Sequence, residues 1–543
     1  MSVGSVGGTY GLSGSGMDVD AIVKKLMTAE QTKADALVQK KTVLQWQKAA
    51  YNTVYDDIST FRTTAFNFKL QSTLSPNKVT TSNTSVATAT ANAGAADVNH
   101  SLVVAQLASG VHLTSAGAIT AAGATKDTIT NQFYGGTAPT ESLTLKIANG
   151  TANATITIDP SGSINDLVSQ INNSTGLNVQ ASYDSTLDRF FLSSTNTGAS
   201  SEISFAGSDP AGLSFIGKQL KLAAASTADS GVTYTSTPVK GQDAVFQLDG
   251  AALTQASNTF SISGVTYNLT GTTTGATISG TVADGTLAVT GGQATSVSVT
   301  NDVDTAVASI QSLVDSYNKI LAEVNAKVKE TRYTEYPPLT DAQKTSMKDT
   351  DIAAWNIKAQ SGMLHNDDTL TNLLNTMRNA LSSPVSGITG TYKSASSIGI
   401  TTGDYSEGGK LYLDTTKLKT ALNANPSVLE QLFGATGTTT AADGTTTTDS
   451  KSQGIAGRLY DGLKTTMDKL QLIAGTTANA QYDKSSNIAK RIVTNNTQIT
   501  NETTRFNMVQ KAYYSQYNAM EVALSKLSSQ SSWLTSQTST SSS

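Results

Sequence analysis

Seven apolar residues recur every seventh position near the C-terminus without a miss: Ile492, Ile499, Phe506, Tyr513, Met520, Leu527 and Leu534. Pro and Gly are absent from Asn479 to Ser543. At a helical rise of 1.5 Å per residue, this stripe runs for about 60 Å. The intervening seam positions are weak: Asn495, Glu502, Val509, Gln516, Ala523 and Gln530. Polar residues there lower stability but fix register and partner number. One narrow stripe does not stabilise a lone helix, so the segment is expected to gain order against other helices. An ordinary core-facing helix is the alternative reading.

The other end of the chain carries a matching pattern. Leu37, Leu44, Tyr51, Ile58 and Ala65 recur at seven, and Val54, Phe61 and Phe68 form a companion series. Together they predict a helix that packs along another helix and is ended by Pro76. Asp18 or Asp20 is placed to cap its start, where a carboxylate also favours the positive end of the helix dipole. Met1–Gly16 is Gly/Ser-rich and reads as flexible.

Between the ends the period changes to two. Val86-Ala87-Thr88-Ala89-Thr90, Leu143-Thr144-Leu145-Lys146-Ile147, Thr155-Ile156-Thr157-Ile158 and Val297-Ser298-Val299 alternate as strands do, broken by Gly and Asn. One short helix interrupts them: Ser163 caps it, Asp166 stands three residues on, and Ile164, Leu167, Val168 and Ile171 form its apolar face. From Asp302 the helical period returns through Val303, Val307, Ile310, Leu313, Val314, Tyr317, Ile320, Leu321 and Val324. Further helices are expected near 369–381 and 415–433, and Gly437–Ser452, a Thr/Gly/Asp tract, reads as a mobile loop. The fold class is therefore a multidomain α+β chain. Paired long terminal helices, coiled-coil-like, and a helical domain carry inserted all-β domains. Residues 1–45 and 490–543 are expected to be terminal helical segments that stay disordered until assembly. Residues 46–78 and 300–489 form a helical stem, 79–130 and 236–299 a β domain, and 131–235 an outer β-rich insert.

Composition removes several function classes. Charged residues are 14% of the chain and the net charge is -4, against about 25% charged in ordinary soluble proteins. There is no basic excess for nucleic acid. No cysteine is present, so disulfides, thiolate nucleophiles and cysteine-held metals are excluded. The three histidines, His100, His112 and His365, match no familiar ligand spacing. No run approaches the roughly 18 apolar residues of a membrane helix. The N-terminus has no basic start and no apolar core, so no cleaved leader and no membrane insertion are expected. An enzyme finds little support. The glycines of Gly11–Gly16 lack the phosphate-loop frame, Ser15 lacks G-x-S-x-G, and Asp302/Asp304 and Asp367/Asp368 read as helix caps and loop acids. No cofactor is expected.

Four stretches carry a family resemblance. They are Gly11-Leu12-Ser13-Gly14-Ser15-Gly16-Met17-Asp18 with Ile22-Val23-Lys24-Lys25-Leu26-Met27; Ile171-Asn172 with Val179-Gln180-Ala181; Ile398-Gly399-Ile400 with Gly409-Lys410-Leu411-Tyr412-Leu413-Asp414 and Lys417-Leu418; and Tyr517-Asn518-Ala519-Met520-Glu521 with Gln530-Ser531-Ser532-Trp533-Leu534. In this order they resemble the flagellar filament cap family, also called the hook-associated protein two family; the second stretch is similar to the Ile-Asn motif shared with flagellins. The resemblance implies a small ring of subunits, commonly a pentamer, at the distal end of the filament, where it helps exported flagellin fold and insert. It also implies an extracellular place, export by the flagellar type III apparatus with its chaperone, and contact with flagellin and hook-associated junction proteins. The assembly interface is then expected on Leu37, Leu44, Tyr51, Ile58, Ile492, Ile499, Phe506, Tyr513, Met520, Leu527 and Leu534. Two other readings stay open: an adhesin binding host mucus or glycans through the β domains, and a hook–filament junction protein. Against a sugar platform, aromatics are only 6% of the chain, and Tyr183, Phe190, Phe191 and Phe205 are expected in the core of the insert.

Overall fold

A computed structural model describes residues 18–539 apart from 224, 228–233, 441–442 and 444. Met1–Gly16, expected to be flexible, lies outside the described residues. The chain divides into two compact units: residues 1–74 with 303–543, and the inserted residues 75–302.

The first unit is built on helices. Val19–Asn67 is one unbroken helix of 49 residues, so the boundary expected at residue 45 falls inside it. Nothing in that stretch breaks a helix: it holds no Gly or Pro, and the Asp18 carboxylate accepts the Ala21 N–H at its start (2.9 Å). Its two seam series are buried together. Leu44, Tyr51, Ile58 and Ala65, with Val54, Phe61 and Phe68, pack into one core with the helices Val303–Lys329, Asp368–Ser382, Thr415–Ala424 and Ile455–Ala474. The Phe61 and Tyr317 rings meet edge to face at 6.1 Å, the arrangement that ring quadrupoles favour. Asp367 caps a helix as expected, accepting from the Leu370 N–H, and Asp414, which the sequence reading did not single out as a cap, accepts from the Lys417 N–H. The tract expected as a mobile loop is instead a hairpin, Thr436–Thr440 paired with Thr446–Gln453. Its β-branched threonines suit extended backbone, which a reading by composition alone overlooks.

The second unit holds two large cores and, among the described residues, a small third cluster of Val103, Val245 and Val289. Five antiparallel strands lie in the order Asn77–Thr81, Thr295–Asn301, Asn99–Gln106, Ala244–Leu248, Ala251–Gln255. The entering and leaving strands are neighbours, which lets the whole insert hang on two adjacent crossings. A three-stranded sheet, Thr259–Ile262, Val265–Leu269 and Ala87–Ala91, shares its core of Leu102, Val104, Phe246, Phe260, Tyr267 and Val297. Phe246 stacks on Phe260 with ring centres 4.6 Å apart.

The outer core lies between two further sheets. One contains Leu143–Asn149, Ala152–Ile158, Glu202–Ser204 and Val239–Lys240; the other contains His112–Thr114, Val179–Asp184 and Arg189–Ser194. Phe190 and Phe205 are buried in it, and Tyr183 packs against it. The boundary expected at residue 131 is displaced. Val111, Leu113, Ile119 and Ile129 already belong to the outer core, and the chain crosses between the two cores at the Ser109–Gln242 bridge. Alternating Thr and Val read the same in either core, so periodicity gives no warning of the crossing.

The short helix is Ile164–Asn172, with Ser163 and Asp166 forming a reciprocal capping box. Asn172 shows what its Ile-Asn dipeptide does. Ile171 is buried, while the Asn172 carboxamide accepts the Ala181 N–H (2.7 Å) and donates to the Ala181 carbonyl (3.0 Å). The side chain thus completes the ladder of strand Val179–Asp184 where no further strand covers it. Asn172→Asp places a carboxylate against that carbonyl and removes the donor. We expect a loss of about 1–3 kcal/mol, read as faster amide exchange in 164–194 with exchange in 455–474 unchanged.

Candidate assembly interface

The C-terminal helix is Asn487–Ser539, 53 residues without a break. It runs antiparallel to the N-terminal helix. From one end of the pairing to the other, Asn495 Nδ2 donates to the Leu37 carbonyl (2.8 Å), Arg505 bridges Glu30 and its own helix's Glu502, and Phe506 is buried with Val19, Val23 and Met27. Val509, Tyr513, Tyr514 and Tyr517 close this last cluster. Over the described residues both terminal segments are helical, and as far as Tyr517 each gives the other a partner.

The joint that aims the C-terminal helix is polar. Lys48 Nζ meets Asp483 Oδ2 at 2.9 Å, with both side chains nearly buried. Asp483 also accepts from the Ser485 and Ser486 amides and from the Ser486 hydroxyl (2.6 Å). Burial works to raise the Asp483 pKa, but these donors and Lys48 outweigh it and hold the carboxyl well below the usual range. Gly475, with φ of +76°, ends the preceding helix here, and a Cβ on it would lie 2.5 Å from Asp483 Oδ2. Tyr51 makes a second tie, donating to Asp367 Oδ2 (2.5 Å); burial, then this bond, pushes its phenol above the ordinary value.

The eleven expected interface residues fall into three groups. Leu44, Tyr51 and Ile58 are core of the first unit, with Ile492 packed against it. Leu37 and Ile499 are half-buried; Phe506 and Tyr513 join the two long helices. Met520, Leu527 and Leu534 are 40%, 60% and 57% exposed. They lie beyond Tyr517, the last residue that packs on the N-terminal helix among the described residues, and Val522, Leu524 and Trp533 are exposed beside them. The seam pattern did not reveal Lys48–Asp483 or Glu30–Arg505. Their signal is charge scarcity: in so neutral a chain, a charged residue at a helix junction or beside a seam marks a candidate pair. Asn495, a weak seam position by sequence, is buried and spends its amide on the Leu37 backbone.

The C-terminal part of this arrangement, from the second unit through the long helix, matches a family profile described as Flagellar hook-associated protein 2 C-terminus over residues 241–529. The chain belongs to the flagellar hook-associated protein 2 family. The family's N-terminal profile matches residues 15–110, and the Flagellin hook IN motif matches 142–196, the segment that includes Asn172. The Flagellar hook-associated protein 2 of Halalkalibacterium halodurans is 29% identical across 95% of this chain and 97% of its own length. That of Escherichia coli K12 is 28% identical across 44% of this chain and 42% of its own. Among solved structures, the flagellar cap protein FliD D1-D2-D3 domains from Escherichia coli share the fold, with a TM-score of 0.53 at 24% identity over 79% of this chain and 97% of that one. The family is one of structural flagellar proteins that work with filament components. No described helix is long and apolar enough to cross a membrane.

Proposed function

We propose that this protein forms the cap at the distal end of the flagellar filament. There it acts as a small ring of identical subunits and promotes folding and insertion of exported flagellin. Family membership supports the setting. The observation that carries the mechanism is the second half of the C-terminal helix, where the heptad stripe continues through Met520, Leu527 and Leu534, all exposed and past the last residue of the apolar cluster shared with the N-terminal helix. An apolar stripe of this kind releases free energy only when it is covered, at about 25 cal/mol per Å² buried. Neighbouring subunits and the top of the filament supply that cover. The paired first half, locked by Lys48–Asp483, sets the direction in which the stripe is presented. The β unit is Thr/Ser-rich and sparsely charged.

Electron microscopy of filaments carrying a labelled copy in a deletion strain tests this. Label confined to the distal tip, with restored filament growth, is the expected result. Label at the hook–filament boundary instead favours the junction-protein reading. Of the four aromatics weighed for the adhesin reading, Phe190 and Phe205 are buried and Tyr183 and Phe191 are half-buried, so none forms an open sugar platform.

A further inference from the structure

In the outer core of the second unit, a hydroxyl, a carboxylate, a carboxamide and a phenol converge. Thr120 Oγ1 donates to Asp188 Oδ1 at 2.7 Å, and the Thr120 amide donates to Asp188 Oδ2 at 2.9 Å. Tyr183 donates its phenol proton to the same Asp188 Oδ1 at 2.6 Å. Both hydroxyl protons are thereby committed, so each oxygen faces Gln132 as an acceptor. Gln132 Nε2 takes up both, at 2.9 Å from Thr120 Oγ1 and 3.3 Å from the Tyr183 oxygen. That logic fixes which way the amide points. Gln132 is fully buried, and its Oε1 has no hydrogen-bond partner. Leaving a buried amide oxygen unpaired is costly, and a plain core position would favour an apolar side chain. Asp188 holds its place in a left-handed backbone conformation, φ 52°, and Lys126 Nζ lies 3.4 Å from its Oδ1.

These groups are the parts of an acyl transfer: a nucleophile held by a base, an electrophilic carbonyl one bond from the contacting nitrogen, and a proton donor at the leaving group. We propose that Thr120 and Gln132 condense, within the folded domain, into an ester cross-link with release of ammonia. Thr120 Oγ1 attacks Gln132 Cδ and passes its proton to Asp188. Once protonated, Asp188 donates that proton to the Tyr183 oxygen, which releases the phenol's own proton to Nε2 as the Cδ–Nε2 bond breaks. One C–O bond replaces one C–N bond, ammonia carries away the nitrogen, and no oxidant or co-reactant is needed. Asp188 is ionised at neutral pH: burial works to raise its pKa, but the Thr120 and Tyr183 hydroxyls, the Thr120 amide and Lys126 outweigh it and hold it at about 2, so it takes the Thr120 proton only as the new C–O bond forms and passes it on at once. The cross-link also replaces the amide oxygen that lacks a donor with an ester oxygen, a weaker acceptor that loses less by burial. It would staple the segment around Thr120 to the helix Ile129–Tyr134 in a chain that has no cysteine.

The test is intact mass and peptide mapping of the full-length folded protein after several days at pH 8. The expected product is lighter than the sequence mass by one ammonia, about 17 Da. Trypsin makes the site readable, because Lys126 separates Thr120 from Gln132. Linked residues give one branched product spanning 79–126 and 127–146 in place of two peptides. Thr120→Val, which keeps the shape and removes the nucleophile, and Asp188→Asn are expected at full mass, with circular dichroism reporting their folding. Folded parent protein that retains full mass and yields two separate peptides overturns the proposal, whatever the variants do. So does a mass loss that persists in Thr120→Val, which would mark ring closure at an asparagine elsewhere.

Discussion

Met520→Asp is expected to leave the isolated subunit as stable as its parent, within about 0.5 kcal/mol, and to abolish capping. The two halves of that result come from one observation: Met520 is 40% exposed and lies past the last residue packed on the N-terminal helix. In a lone chain the new carboxylate stays in water and costs little. In the proposed ring the same position is covered, and an unpaired charge there loses its hydration without compensation. Every subunit of a symmetric ring repeats the defect. Flagellin should then appear in the medium as monomer, with filaments short or missing. Two companion variants separate assembly from folding. Phe506→Asp puts the charge among Val19, Val23 and Met27 and should loosen the long-helix pairing already in the monomer. Ser525→Asp, off the stripe, should be nearly silent. Normal filaments from the Met520→Asp strain would remove the exposed stripe from the cap's machinery.

The contrast between Met520 and Phe506 also marks how far the sequence could be read. Seven-residue spacing correctly gave two long helices and which stripe of each is apolar, because burial on a helix is written in its period. It could not divide the stripe into a part covered by the N-terminal helix and a part exposed among the described residues, since Phe506 and Met520 obey the same repeat. That division depends on where the partner helix begins, a tertiary fact. The β region failed differently. Alternation identified strands such as Leu143–Asn149 and Val297–Val299, yet residues 111–129 were assigned to the wrong core, because the pleat records only which face of a strand is buried and not which sheet it joins. The Ser163 capping box was legible as spacing. The partners of Asn172, Lys48 and Gln132 were not, since each lies across a turn or far along the chain.

Lys48→Met is expected to free the C-terminal helix from its fixed direction while the core behind it stays folded. Lys48 and Asp483 are paired at 2.9 Å with side chains 12% and 5% exposed, so removing the ammonium strands a buried carboxylate. Breaking such a pair costs about 3–5 kcal/mol, more than the pair's net worth, because the remaining charge is uncompensated. The loss falls on the junction at 475–486, and exchange of amides in 487–505 should accelerate well before that of 455–474. Adding Asp483→Asn to Lys48→Met should recover much of the difference: the amide oxygen still accepts from Ser485 and Ser486, and no charge is left buried. Recovery of this kind is non-additivity between touching residues. The acid response has a definite sign. The folded Asp483 pKa is depressed, so its contribution is complete above the unfolded carboxyl value, about 3.9, and is lost as pH falls below that value through the folded pKa. The parent should therefore keep a locked junction down to about pH 4 and loosen below it, whereas Asp483→Asn should lack that part of the acid slope. If Lys48→Met leaves both the exchange of 487–505 and the acid profile unchanged, the direction of the long helix is set by apolar packing around Phe506 and Ile492 alone, and the ion pair is incidental to it.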